Sequence, residues 1–296
     1  MLAWIVLPLG ALAATPDAPA PREIVFTSDR TGTHQLYVMD VSSGAATRLL
    51  ETDREDRHPR WSPDGARIAF ESAGGGTRDV WIVGADGADL QRVSTDGRSG
   101  QPAWSPDGQK LVFVSTRGGD PALWTVELES GVETPLPTEQ QFCRWPDWSP
   151  DGERIVFSSL EDGDEEVFCT KIDGSGAVRL TRRAGEDARP RWSPDATEIV
   201  FSRASPRTGA SDVVVRMAAS GADAAPLEDA DALRRAFVDR SVASWGGAPD
   251  ADGTVVFASV RGGNADLYVI ERGSTRPRRI TDDPGMDQDP DWRPRR

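Results

Sequence analysis

The chain has 296 residues, of which 38% are hydrophobic, so it is long enough and apolar enough to bury a substantial core. Its 48 acidic and 34 basic residues give a net charge of −14, which repels phosphate backbones and argues against nucleic acid as a partner. With two His and two Cys, the chain also has too few of these residues for a metal site rich in them.

The N-terminal residues 1–22 are typical of a secretory signal followed by a short Pro-rich linker. Residues 1–14 are almost wholly apolar and end in small side chains, as at a cleavage site, although no basic residue precedes them. This apolar run is shorter than the roughly 20 residues that span a bilayer, so no transmembrane anchor is expected. The prediction is an exported protein, periplasmic or otherwise extracytoplasmic.

An internal repeat organises the rest of the chain. The string WSPDG, or WSPDA in its fourth copy, recurs at spacings of 43, 44 and 44 residues and begins at Trp61, Trp104, Trp148 and Trp192. Degenerate copies begin at Trp245 and Trp292. A period of about 40–45 residues with many turn residues is typical of a propeller blade.

Each repeat predicts four short antiparallel strands. The Trp ends the first strand, and Ser-Pro-Asp-Gly suits a tight turn because Pro favours its second position and Gly accepts positive φ. Second strands follow at Arg67–Ser72 and Lys110–Ser115, and a third strand at Asp79–Val83. A Phe in the second strand is followed, in most repeats, by another aromatic residue eleven positions later in the third.

The ends of the chain predict how many blades there are. Residues 24–49 supply strands two to four of one unit, five units that begin with a Trp follow, and a lone first strand ends the chain around Asp287–Pro294. The C-terminal strand is therefore expected to complete the N-terminal blade, which removes exposed sheet edges. The predicted fold is all-β, a six-bladed β-propeller over residues 23–296.

The repeat resembles that of the TolB-type propellers. WSPDG, FTSDRTG at 26–32 and LYVMD at 36–40 carry the resemblance, which covers essentially everything after the signal. It implies a six-bladed propeller and, for TolB itself, a periplasmic protein that binds partners of the Tol-Pal envelope system. TolB has an α/β domain before its propeller, whereas here the propeller is expected to follow the signal directly. Similar repeats occur in prolyl oligopeptidase-like peptidases and some oligosaccharide lyases.

Function is expected where the repeats differ. The recurring Trp and Phe are assigned to the core, because a catalytic group is needed only once. Three positions before each Trp, different side chains are placed at one mouth of the central channel: His58, Gln101, Trp145, Arg189, Val242 and Asp289. All of these except Val242 are predicted contacts for a protein or peptide, with Trp145 and Arg189 foremost because aromatic residues and Arg are enriched in hot spots. Alternatively, they are ordinary solvated loop residues.

Three carboxylates share another position of the repeat. Asp56, Asp187 and Asp287 each lie five residues before a Trp, so they could surround the channel mouth and bind a hard cation such as calcium. The alternative is that each Asp bonds the backbone of its own loop.

Catalytic motifs are missing from the sequence. It contains no GxSxG string, and His34 and His58 are its two imidazoles. The favoured interpretation is a non-catalytic, monomeric protein- or peptide-binding scaffold of the cell envelope without a cofactor. The alternative is a channel-mouth enzyme or carbohydrate-binding protein, lyase- or lactonase-like, that uses the three aspartates and a bound cation.

Two smaller predictions concern irregular features. Residues 229–240 have apolar positions at helical spacing, which predicts a short helix near the long loop 202–211. Cys143 lies before a first strand and Cys169 in a third strand of the same blade. These two strands are expected to be about 10 Å apart, which is too far for a disulfide, so both thiols are expected to be free.

Overall fold

The computed structural model describes residues 22–161, 163–182, 185–204, 211–226, 244–246, 252–260 and 263–294. Within these ranges it contains 24 strands in six four-stranded sheets, all paired antiparallel. The prediction of an all-β, six-bladed propeller is confirmed.

The strands are numbered in chain order. The blades are numbered in the order in which their second strands occur in the chain. Blade 1 contains β24 (Asp287–Trp292), β1 (Glu23–Ser28), β2 (Gln35–Asp40) and β3 (Ala45–Arg48). Blade 2 contains β4 (Glu55–Trp61), β5 (Arg67–Gly74), β6 (Thr77–Gly84) and β7 (Gln91–Arg92). Blade 3 contains β8 (Ser99–Trp104), β9 (Lys110–Ser115), β10 (Ala122–Glu127) and β11 (Glu133–Pro135). Blade 4 contains β12 (Arg144–Trp148), β13 (Arg154–Glu161), β14 (Asp164–Lys171) and β15 (Val178–Arg179). Blade 5 contains β16 (Asp187–Trp192), β17 (Glu198–Ala204), β18 (Ser211–Ala218) and β19 (Ala225–Pro226). Blade 6 contains β20 (Ser244–Gly246), β21 (Val255–Ser259), β22 (Asp266–Ile270) and β23 (Arg278–Arg279).

Strands from opposite ends of the chain close the ring, as predicted. β24 pairs antiparallel with β1, with Trp292 opposite Ile24 and Asp287 opposite Ser28. Both Ile24 and Trp292 are buried. The first blade is therefore completed by the last strand, and β1 presents no open edge on that side.

The repeated turn is stabilised by its own polar side chains. In blade 2, Ser62 Oγ donates to Asp64 Oδ1 at 2.5 Å, and the same oxygen accepts the N–H of Ala66 at 3.0 Å. Gly65 has φ +64°, as expected for the turn. In blade 5, Ala196 replaces the glycine and still adopts φ +56°, so this turn geometry is imposed even where a Cβ makes it costly.

The aromatic residues eleven positions apart face each other across the second and third strands. These cross-strand pairs are Phe26 with Tyr37, Phe70 with Trp81, Phe113 with Trp124, Phe157 with Phe168, and Phe257 with Tyr268. Six hydrophobic clusters form the core among the described residues, and each combines two neighbouring blades. Both faces of every blade are thus covered, which is why the inner strands are apolar at consecutive positions.

Some predictions concern residues outside the described ranges. These are the signal within residues 1–21, the helix over 229–240, Val242 and most of the loop 202–211. In the part of the chain that the structure describes, no helix is long and apolar enough to cross a membrane.

Both cysteines are free, as predicted. Cys143 is buried directly before β12 and Cys169 is half-buried in β14. Burial raises the pKa of the Cys143 thiol and raises that of Cys169 to about 11. A thiol titration at pH 8 is therefore expected to find two slow thiols in the folded protein and two fast ones in urea. Unreduced, denatured protein with no reactive thiol would contradict this prediction.

Candidate functional site

Six first strands line the central channel. Each lies beside the first strands of the two neighbouring blades, so that β24, β4, β8, β12, β16 and β20 form a ring. In blades 1 to 5, the register between first and second strand shifts at a bulge. A bulge bends its strand and redirects the side chains around it, here along the wall of the channel.

At each of these bulges the residue three positions before the Trp adopts a left-handed backbone. The φ angles lie between 51° and 56° for His58, Gln101, Trp145, Arg189 and Asp289. Residues other than glycine rarely adopt this backbone conformation, which costs about 1–3 kcal/mol per residue. These five residues, here called the channel cluster, are the predicted partner contacts that fall within the described ranges.

The channel cluster forms connected contacts across the ring. The rings of His58 and Trp145 meet edge to face with centroids 4.8 Å apart, although they belong to blades 2 and 4. His58 Nε2 lies 3.5 Å from Asp289 Oδ2. Arg189 stacks over Trp145 at 4.2 Å, and its Nη1 donates to Asp289 Oδ1 at 3.0 Å. The structure therefore brings together side chains from blades 1, 2, 4 and 5.

Gln101 and Glu71 link the cluster to the backbone that the bulges expose. Gln101 Oε1 accepts the N–H of Trp145 at 2.9 Å, and the N–H of Gln101 donates to Glu71 Oε2 at 3.2 Å. The same carboxylate oxygen lies 3.1 Å from His58 Nδ1. A Cβ at Gly100 would collide with this carboxylate, so a larger residue there would displace Glu71 from its present position. Glu71 was not among the residues predicted from the sequence.

The Glu71 carboxylate remains ionised despite its position. Burial alone would raise its pKa, but His58 and Arg78 reverse that effect and hold the pKa below its ordinary value. A buried negative charge thus lies beside the imidazole of His58 and orients it toward Trp145.

The three aspartates considered as cation ligands do not converge. Asp56 accepts hydrogen bonds from Ser72 at 2.6 Å and Thr52 at 2.7 Å. Asp187 pairs with Arg203 at 2.7 Å through both oxygens, and Asp287 pairs with Arg30 at 2.8 Å. Each carboxylate is thus used inside its own blade. Among the described residues, no three His, Cys, Asp or Glu side chains are placed to hold one metal ion.

A second set of channel residues was missed by sequence analysis. The residue directly before the Trp is Arg60, Asp147, Arg191 and Asp291 in blades 2, 4, 5 and 1, and these four are called the charged ring. Arg191 Nη1 donates to Asp147 Oδ1 at 2.5 Å, and its Nη2 donates to Asp291 Oδ1 at 3.0 Å. In the sequence, these residues could have been recognised by the change of charge at the position directly before the repeated Trp.

The carboxylates of the charged ring also stabilise the blades. Asp291 Oδ2 accepts the N–H of Trp61 at 2.7 Å, and Asp147 Oδ2 accepts the N–H of Trp192 at 2.9 Å. Burial raises the pKa of Asp147 to about 7 and that of Asp291 to about 6, against the opposing effect of Arg60. Ionisation of these carboxylates is therefore costly and depends on the neighbouring guanidinium groups.

A cavity of about 410 Å³ opens at the end of the first strands, on the side of the repeated turns. The charged ring lines it, together with the Trp and Pro of five turns: Trp61, Trp104, Trp148, Trp192, Trp292, Pro63, Pro106, Pro150, Pro194 and Pro294. The repeated Trp residues are mostly buried, as predicted for core residues, but they also form the wall of this cavity. We call it the turn-side cavity.

Comparison with known proteins supports the fold. A family model described as the TolB beta propeller domain matches residues 10–101 and 100–235. The Tol-Pal system protein TolB of Anaeromyxobacter dehalogenans strain 2CP-1 is 39% identical over 74 residues, 25% of this chain and 17% of that protein. An uncharacterized protein of Agrobacterium fabrum is 32% identical over 75 residues, 25% of this chain and 26% of the relative. These matches span about a quarter or less of either relative's length.

A solved structure extends the similarity over nearly the whole chain. The crystal structure of TolB from Acinetobacter baumannii aligns with a TM-score of 0.77 at 18% identity, covering 93% of this chain and 67% of that chain. At this identity the similarity establishes the fold and leaves the residues of the channel to be interpreted individually.

Proposed function

Because the chain belongs to the TolB beta propeller domain family, we propose that it is an exported, non-catalytic scaffold that binds a protein or peptide in the cell envelope. The proposed site is the channel cluster. TolB relatives carry the name of the Tol-Pal system, but the matched segments are short, so no particular partner is transferred.

One observation carries this proposal: five strained residues from five blades lie around one point of the channel. Backbone strain at a single residue is commonplace, whereas five left-handed residues at one repeat position, four of them in mutual contact, indicate a shared purpose. Strain of this kind is concentrated at functional sites. The cluster also combines an aromatic ring, a guanidinium, an imidazole and a carboxylate, the groups enriched in binding hot spots.

The environment of the two imidazoles favours binding over catalysis. His34 Nδ1 lies 2.9 Å from Arg57 Nη2, and His58 lies between two carboxylates. Within the described ranges neither ring is hydrogen-bonded to a serine, threonine or cysteine side chain, as a general base for a nucleophile would be. The alternative enzyme or carbohydrate-binding protein required Asp56, Asp187 and Asp287 around one cation, and the geometry offers that alternative no support.

The test is the capture of a partner from an envelope extract of the source organism. We expect Trp145→Ala combined with Arg189→Ala to reduce the captured protein at least tenfold, because both hot-spot side chains are removed. A matched control is Trp81→Ala with Arg54→Ala, since these residues form another Trp–Arg stack at 4.5 Å outside the channel cluster. The control pair is expected to retain capture.

Two outcomes would count against the proposal. Normal capture by the Trp145→Ala, Arg189→Ala protein would place the site elsewhere. Equal loss in both double variants, with unchanged urea midpoints, would mean that the channel cluster has no special part in binding.

A further inference from the structure

Arg60 is a largely buried guanidinium that is ion-paired but keeps hydrogen-bonding capacity. Its side chain is 13% exposed, and burial lowers its pKa from the ordinary value. Its nearest carboxylate contact, Asp291 Oδ1, is 3.6 Å from Nη1, which is longer than a hydrogen bond. In the described part of the chain, the buried Arg60 Nε has no hydrogen-bond partner.

The two neighbouring carboxylates are engaged by other donors and give Arg60 no hydrogen bond. The Asp291 oxygens already accept from Trp61 N and Arg191 Nη2, and the Asp147 oxygens accept from Trp192 N and Arg191 Nη1. A guanidinium largely removed from water is stabilised by an anionic acceptor, so Arg60 can bind an anionic oxygen from outside the chain.

The space beside Arg60 has the size and lining of a small-molecule site. The turn-side cavity has a volume of about 410 Å³, within the roughly 300–1,000 Å³ common for such sites. Its wall of Trp and Pro side chains suits an aromatic or aliphatic body. Its charged groups are the charged ring and Arg293, and Arg293 is paired with Glu23.

We propose that the turn-side cavity binds a small monocarboxylate with an apolar body, its carboxylate on Arg60 and its body against the Trp and Pro wall. Asp147 and Asp291 lie on the same ring and repel a doubly charged anion, which selects a carboxylate over phosphate. This site lies at the opposite end of the first strands from Asp56 and is independent of the partner proposed for the channel cluster.

The probe for this site is 3-phenylpropionate. Its binding to the whole protein is measured by a ligand-observed NMR titration. Saturable binding at one site is expected. Its uncharged analogue 3-phenylpropionamide, of the same shape, and inorganic phosphate are expected to bind at least tenfold more weakly. This comparison uses the unmodified protein, so it does not depend on whether a variant folds.

Two variants then assign the carboxylate to Arg60. Arg60→Gln is expected to weaken 3-phenylpropionate binding about 10- to 100-fold and to leave the amide unaffected. Arg54→Gln makes the same change at a guanidinium that is stacked on Trp81 outside the turn-side cavity, and it is expected to leave probe binding unchanged. No saturable binding, equal binding of acid and amide, or full affinity in Arg60→Gln would each overturn the proposal.

Discussion

Replacing Arg191 with methionine is expected to lower the free energy of unfolding by about 3–5 kcal/mol. Arg191 is 3% exposed and donates to both Asp147 and Asp291. Methionine fills similar space but leaves two buried carboxylates without the guanidinium that donates hydrogen bonds to both of them. Removing one member of a buried ion pair costs far more than the pair contributes, because the remaining charges stay desolvated.

Urea denaturation followed by tryptophan fluorescence measures this loss, and Lys110→Met provides the matched control. Lys110 pairs with Glu127 at 2.8 Å, but both side chains are about half exposed. Such a surface pair contributes little to stability, because both charges remain solvated. Adding Asp147→Asn and Asp291→Asn to Arg191→Met is expected to recover part of the lost stability. A loss of less than about 1 kcal/mol in Arg191→Met would show that the charged ring does not depend on Arg191.

The loss of stability caused by Arg191→Met is expected to depend on pH. The pKa values of Asp147 and Asp291 in the folded protein, about 7 and about 6, lie above the ordinary value of 3.8. The folded state therefore binds these protons more tightly than the unfolded state. The resulting increase in the free energy of unfolding is complete below about pH 4 and is lost as the pH rises through 6 to 7. Arg191→Met should thus be less damaging at pH 5 than at pH 8.

Deleting residues 286–296 is expected to abolish the cooperatively folded monomer. The deletion removes β24, so β1 loses its partner strand and the Trp61 N–H loses its acceptor Asp291. It also removes Trp292 from the core shared by blades 1 and 6. An open ring exposes a sheet edge and two blade faces, which favours unfolding or association.

Size-exclusion chromatography and urea denaturation test this prediction. Deleting only residues 295–296 is the control and is expected to leave both measurements unchanged. A synthetic peptide of residues 286–296 added to the shortened chain is expected to restore a monomer with a urea transition. A shortened chain that unfolds at the midpoint of the full chain would mean that the closing strand contributes nothing.

Several features of the fold could be predicted because they are local or repeated. The WSPDG strings mark the same turn in successive blades, and the spacing between Phe and the next aromatic residue reflects direct cross-strand pairing, as in Phe70 and Trp81. Counting the strands at the two ends was enough to predict closure between β1 and β24. The period of a repeat also identifies equivalent positions, so the five members of the channel cluster could be selected before their geometry was known.

The repeat alone thus determined which positions of the blades are equivalent. Only the tertiary structure decided which side chains at those positions contact each other. Asp56, Asp187 and Asp287 share one position yet bond within separate blades, whereas Arg60, Asp147, Arg191 and Asp291 share another and join across the channel. The difference arises because bulges in the first strands redirect side chains, and because contacts across a ring depend on distances between residues far apart in the chain. No local pattern of residues encodes those distances.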